Sequence, residues 1–61
     1  MPGQPTYSAR FSSNVRYIPE GFPFSGTYPV LDIDFKKGRV LIENDGREVY
    51  VSVLDVELIE E

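Results

Sequence analysis

The Asp45-Gly46 pair constrains the fold of this chain more than any other feature. It lies between two runs, 39–44 and 47–53, in which apolar and polar residues largely alternate. An Asp-Gly pair in such a setting predicts a β-hairpin with a two-residue type I′ turn, because Asp tolerates positive φ and Gly adopts it without steric cost. The centre of the chain is therefore predicted to be an antiparallel pair of strands.

The position of the turn also fixes which residues of the two strands lie opposite each other. The predicted pairs are Asn44 with Arg47, Glu43 with Glu48, Ile42 with Val49, Leu41 with Tyr50 and Val40 with Val51. Side chains alternate between the two faces of a strand, so one face carries only β-branched residues. We expect that face to be buried and Arg47 to relieve the like-charge pair of glutamates. Leu41 and Tyr50 meet on the other face, either under a loop or as an exposed contact patch.

Composition limits the chemistry of the chain. Its 61 residues make one domain with a thin core, and neither Cys nor His occurs. Thiol nucleophiles, the commonest general base and the usual zinc ligands are therefore missing, and we expect no enzyme, no cofactor and no metal site. No apolar run approaches the roughly 20 residues needed to span a bilayer. Together with the lack of Cys, this favours a cytoplasmic location.

Proline, glycine and hydropathy patterns divide the rest of the chain. Residues 1–13 are predicted to be a flexible N-terminal arm, and residues 14–61 a single domain with a first strand over 14–18. Residues 19–27 contain two Pro and two Gly and are predicted to be a long loop. The second strand is predicted over 28–35, with Leu31, Ile33 and Phe35 on its buried face. A single helical turn over 53–55 and a fifth strand over 56–59 follow.

Five short strands, a long loop after the first, a central hairpin and one turn before the last strand form an order that resembles the SH3-like barrel. Residues 49–59 look like the end of a signalling SH3 domain. That family binds proline-rich peptides on aromatic residues that include a Trp, but this chain has no Trp. Ser52 and Asp55 stand where the family's Pro and Tyr would fall, so the resemblance implies an all-β, five-stranded SH3-like barrel without the peptide groove.

The chain is also similar to short barrel proteins of bacteria and their phages. The similarity lies in a "Gly-x-Tyr-x-Val" entry to the second strand, here 26–30, and in the Asp-Gly hairpin. It implies the same fold and an origin in a phage or another mobile element, without implying any chemistry.

Three functions remain open at this point. The first is a non-catalytic module that binds a protein partner through aromatic residues, namely Tyr17, Phe22, Phe24, Tyr28 and Tyr50. The loop aromatics among them have the alternative of capping the open end of the barrel. The second is nucleic-acid binding through the basic residues Arg16, Lys36, Lys37 and Arg39, which the net charge of −4 disfavours. The third is a minor subunit of a larger assembly.

Overall fold

The computed structural model describes residues 6–60, and within them the chain forms five β-strands and no helix. The strands are β1 (Tyr7–Phe11), β2 (Thr27–Asp34), β3 (Arg39–Asn44), β4 (Arg47–Ser52) and β5 (Val56–Glu60). They join into one antiparallel sheet in the order β4-β3-β2-β1-β5, so β4 and β5 are its edges. This arrangement confirms the predicted all-β, five-stranded fold. Residues 6–60 hold no helix long and apolar enough to cross a membrane.

The hairpin of β3 and β4 has the predicted turn and the predicted register. Asp45 and Gly46 both have positive φ, at 54° and 82°, as a type I′ turn requires. Each predicted residue pair is found, from Asn44 with Arg47 to Val40 with Val51. Three of the four β-branched residues of the predicted inner face are buried and Val49 is partly buried, so this face forms one side of the core.

The first strand lies at Tyr7–Phe11, and the prediction of a strand over 14–18 is wrong. Ala9 and Phe11 alternate with polar residues and are buried, and β1 pairs with both β2 and β5. The sheet thus includes part of the segment predicted to be an arm, whose residues 1–5 lie outside the described part. After β1 the chain turns at once, since the Val15 amide donates to the Ser12 carbonyl at 3.2 Å.

Strand β2 contains a β-bulge that changes which side chains are buried. Val30 pairs with Ile42 but Asp32 pairs with Leu41, so Leu31 is an extra residue without its own partner. Ile33 then packs against the core as predicted. Leu31 is 49% exposed, so its predicted burial is wrong. The same holds for Phe35, which follows the end of β2 and is 80% exposed.

Residues 12–26 form the long loop, which closes the core with an aromatic cluster. The ring of Tyr28 lies 6.0 Å from that of Phe11 and 5.2 Å from that of Phe22, with edge-to-face geometry in both pairs. The Tyr28 hydroxyl donates to the Pro23 carbonyl and so ties the loop to the sheet. A Cβ at Gly26 would overlap this hydroxyl, which explains why glycine stands two residues before the tyrosine.

The chain reaches its last strand through a short turn over 53–55, which the Asp55 amide closes by donating to the Ser52 carbonyl at 3.0 Å. Strand β5 then pairs with β1 along its full length, from Val56 with Phe11 to Glu60 with Tyr7. The fifth strand corresponds to the sequence prediction, whereas the predicted helical turn over 53–55 is a hydrogen-bonded turn without a helix.

Candidate functional site: the outer face of the β2–β4 sheet

The five aromatic residues predicted to contact a partner have different positions in the fold. Phe22 and Tyr28 are buried in the aromatic cluster, which corresponds to the capping alternative. Tyr17, Phe24 and Tyr50 are exposed, at 66%, 51% and 42%. Tyr17 and Phe24 lie on the long loop and Tyr50 on β4. Phe22 and Tyr28 therefore belong to the core. The three exposed residues remain candidates for contact with a partner.

Phe24 lines an open cleft of about 320 Å³ between the long loop and strands β1 and β5. The charged residues of its lining are Arg10 and Glu57, whose side chains form an ion pair at 3.1 Å. Since these two charges compensate each other, the cleft has no net charge with which to select a ligand. Its remaining lining residues are Phe11, Ser13, Ser25 and Gly26.

A second surface lies on the side of β2, β3 and β4 that faces away from the core, which we call the outer face. Leu41 and Tyr50 pair there as predicted, and the β-bulge adds Leu31 next to Leu41. The guanidinium carbon of Arg39 lies 4.2 Å from the centre of the Tyr50 ring, in cation–π geometry. Leucine and tyrosine side chains thus form an apolar centre on this face.

Acidic residues surround this apolar centre. Strand alternation and register place four carboxylates and one guanidinium on the outer face, those of Asp32, Asp34, Glu43, Glu48 and Arg39. Arg39 forms an ion pair with Asp34, with Nε and Oδ2 3.7 Å apart. Three carboxylates therefore remain without a cation from the described part of the chain.

Glu43 and Glu48 lie directly opposite each other on this face. The prediction that Arg47 relieves this pair is wrong, because its guanidinium donates to the Glu20 carbonyl of the long loop at 3.3 Å. One oxygen of Glu43 accepts the Gly46 amide at 2.9 Å, which supports the turn but does not neutralise Glu48. A like-charge cross-strand pair lowers stability, and no cation among residues 6–60 compensates for the repulsion between Glu43 and Glu48.

The four basic residues predicted for nucleic acid lie on three elements, namely the long loop, the β2–β3 turn and β3. Arg16 lies on the long loop, 3.8 Å from a carboxylate oxygen of the buried Asp55. Arg39 belongs to the outer face and its ion pair. Lys36 and Lys37 lie in the β2–β3 turn, where the Lys37 amide donates to Asp34 at 3.2 Å.

Sequence reasoning missed two exposed apolar residues, Leu31 and Phe35. Simple alternation along 28–35 places both on the buried face, but Leu31 is the extra residue of the bulge and Phe35 lies beyond the end of β2, in the turn that follows. No residue type in the segment marks the bulge, so it becomes visible only through the pairing with β3.

Comparisons with protein-family models, with curated proteins and with solved structures find no match for this chain. The resemblance to the SH3-like barrel thus remains a prediction. Within residues 6–60 no three side chains form a group that could hold a metal ion. Burial raises the pKa of the Tyr28 hydroxyl above its usual value of 10.0, and this group lies in the core rather than on a surface.

Proposed function

We propose that this protein is a non-catalytic protein-interaction module and that the outer face is its binding surface. The observation that carries the proposal is an apolar centre in which the exposed Leu31 and Tyr50 adjoin the half-buried Leu41, inside an acidic surround. Protein interfaces typically combine an apolar centre with a polar rim, and tyrosine is among the residues that most often dominate their binding energy.

The charges of the outer face define the chemistry of the partner. The paired Glu43 and Glu48 and the neighbouring Asp32 lack a cation within the described chain. A lysine or arginine from outside would turn the repulsion between the glutamates into attraction. The partner is therefore a protein segment in which basic residues flank an apolar side chain that packs on Leu41 and Tyr50.

A library of random 12-residue peptides displayed on phage provides the test. We expect selection on the immobilised protein to enrich peptides with basic and apolar residues, and the Tyr50→Ser variant to bind the strongest of them about tenfold more weakly. The matched control is Leu54→Ser, which removes an apolar side chain that is 75% exposed but lies in the β4–β5 turn, off the outer face. Dissociation constants from fluorescence anisotropy compare the three proteins.

The proposal is wrong if the enriched peptides lack basic residues. It also fails if Tyr50→Ser and Leu54→Ser weaken binding equally, because the apolar centre of the outer face would then have no special role.

A second candidate function is binding of single-stranded nucleic acid at the β2–β3 turn. Phe35 is 80% exposed there and is followed by Lys36 and Lys37, which form no ion pair with any described residue. An exposed aromatic ring beside cations can stack a base and contact its phosphate. Binding of oligothymidine that weakens steeply with salt, and that is lost in the Phe35→Ala variant, would favour this candidate. Lack of binding at low salt would exclude it.

A further inference from the structure

Strand β4 is an edge of the sheet, and of its outward backbone groups only the Ser52 carbonyl has a partner within residues 6–60, the Asp55 amide at 3.0 Å. In an antiparallel pair, hydrogen-bonded and non-hydrogen-bonded residue pairs alternate. The Val53 amide donates to the Gly38 carbonyl at 2.9 Å, so every second residue before it also points its backbone groups toward β3. The amides and carbonyls of the intervening residues Glu48, Tyr50 and Ser52 therefore point away from the sheet.

From this geometry we propose that the partner segment binds in extended form and pairs with β4 as an added sixth strand. This inference rests on the proposed function, because it specifies how a segment reaches the outer face. Addition of a strand to a sheet edge is a known mode of peptide recognition, in which main-chain hydrogen bonds supply affinity and alternate side chains supply specificity.

The protection that sheet edges usually have is weak along β4. Natural edges carry charged residues (lysine above all), proline or bulges that prevent pairing with another chain. Strand β4 has no lysine, proline or bulge, and its charged residues are Arg47 and Glu48. Its one basic residue, Arg47, is directed to the Glu20 carbonyl of the long loop. A segment that approaches the β4 edge therefore meets free backbone groups without a guarding cation.

The edge of β5 is a poorer choice for the same partner. Glu57, the acidic residue nearest its start, already forms an ion pair with Arg10 at 3.1 Å. The edge of β4, by contrast, adjoins Glu48 and Tyr50, which belong to the acidic and apolar parts of the outer face. Glu60 at the end of β5 forms no ion pair with a described residue, but it lies opposite Tyr7, whereas Glu48 lies opposite a second carboxylate. Charge complementarity thus favours β4 for a basic segment.

The pairing predicts the side-chain pattern of the bound segment. Alternate residues of an added strand lie on the same face of the sheet, so those on the outer face lie beside Glu48, Tyr50 and Ser52. We expect a lysine or arginine next to Glu48 and, two positions away, an apolar residue next to Tyr50. A basic–any–apolar pattern in the enriched peptides is the corresponding sequence signature.

The full chain of 61 residues is short enough for total chemical synthesis, which allows a test on the backbone itself. N-methylation of the Tyr50 amide removes one outward N–H and leaves every side chain in place. We expect this variant to bind the strongest peptide of the random library at least about tenfold more weakly than the unmodified protein does. The matched control is N-methylation of Tyr17, an exposed tyrosine of the long loop whose amide makes no described backbone bond.

Amide hydrogen exchange on the unmodified protein gives a second measurement that does not depend on the folding of a variant. Bound peptide should slow exchange at Glu48, Tyr50 and Ser52 relative to the free protein. If the peptide requires the Tyr50 side chain but these amides exchange as in the free protein, the added strand is wrong while the outer face stands. If binding is indifferent to both the side chain and the amide of Tyr50, the proposed function fails as well.

Discussion

The aromatic cluster beneath the long loop and the outer face of the β2–β4 sheet use similar side chains in opposite ways. In the cluster, Phe22 and Tyr28 are buried and the loop above them is fixed by hydrogen bonds, including one of 2.8 Å from Asn44 to the Gly21 carbonyl. On the outer face, Tyr50 stays exposed among carboxylates that lack cations. The aromatic cluster and its loop make their contacts within the chain and stabilise the fold. The outer face, in contrast, has carboxylates without cations, and a partner can supply those cations.

The largest effect that tests this contrast comes from the two phenylalanines around Pro23. Phe22→Ala removes a side chain that is 1% exposed, and we expect it to lower the free energy of unfolding by about 3–5 kcal/mol. Phe24→Ala removes one that is 51% exposed, and we expect a loss below about 1 kcal/mol. Urea unfolding followed by circular dichroism measures both.

A loss of the expected size in Phe22→Ala is comparable to the whole stability of a domain this small. The variant is therefore expected to be largely unfolded in the absence of denaturant, while Phe24→Ala keeps the native spectrum. Similar midpoints for the two variants would show that the long loop does not divide its aromatics between core and surface.

A smaller effect should come from the hydroxyl that ties the loop to the sheet. Tyr28→Phe keeps the buried ring but removes the hydrogen bond to the Pro23 carbonyl, at a cost of about 1 kcal/mol. The variant also lacks a titratable hydroxyl. Because burial raises the pKa of Tyr28 in the folded state, the unfolded chain loses this proton first as pH rises. Stability should therefore fall above about pH 10 in the wild type.

The control is the variant itself, measured over the same pH range, because it retains the chain's other tyrosines. We expect the difference in stability between wild type and Tyr28→Phe to shrink as pH rises above about 10. A difference that is constant with pH would mean that the hydroxyl is not buried against the long loop.

The same contrast shows which parts of the fold the sequence could determine. The hairpin was predictable to the residue because its turn and its pairs lie within about a dozen positions, and a shift by one would expose the branched residues. Strand β1 was not, because its stability depends on residues such as Glu60, which pairs with Tyr7 from the other end of the chain. The bulge at Leu31 likewise depends on β3 and has no local signal.

The candidate site was predictable only where it follows from the hairpin. The register predicts that Leu41 lies opposite Tyr50 and that Glu43 lies opposite Glu48, and both pairs are found. Phe22 and Phe24 flank the same proline, and the sequence does not show that Phe22 rather than Phe24 packs against the Tyr28 ring and is buried. The sequence predicts Arg47 beside the glutamates because it does not show the position of the Glu20 carbonyl, which Arg47 contacts in the fold.

The smallest effect concerns the glutamate pair, and it should have opposite signs for stability and for binding. Glu48→Lys gives Glu43 an oppositely charged cross-strand neighbour, and we expect the free energy of unfolding to rise by about 0.2–1 kcal/mol. The same change should weaken binding of the basic library peptides, because it removes one of their charge partners.

The control is Glu60→Lys on β5, which changes the net charge equally and lies away from the outer face. If that variant weakens binding as much as Glu48→Lys, the peptides respond to overall charge rather than to this surface. If only Glu48→Lys weakens binding, and it also stabilises the fold, then the repulsion between Glu43 and Glu48 destabilises the free protein and the partner relieves it.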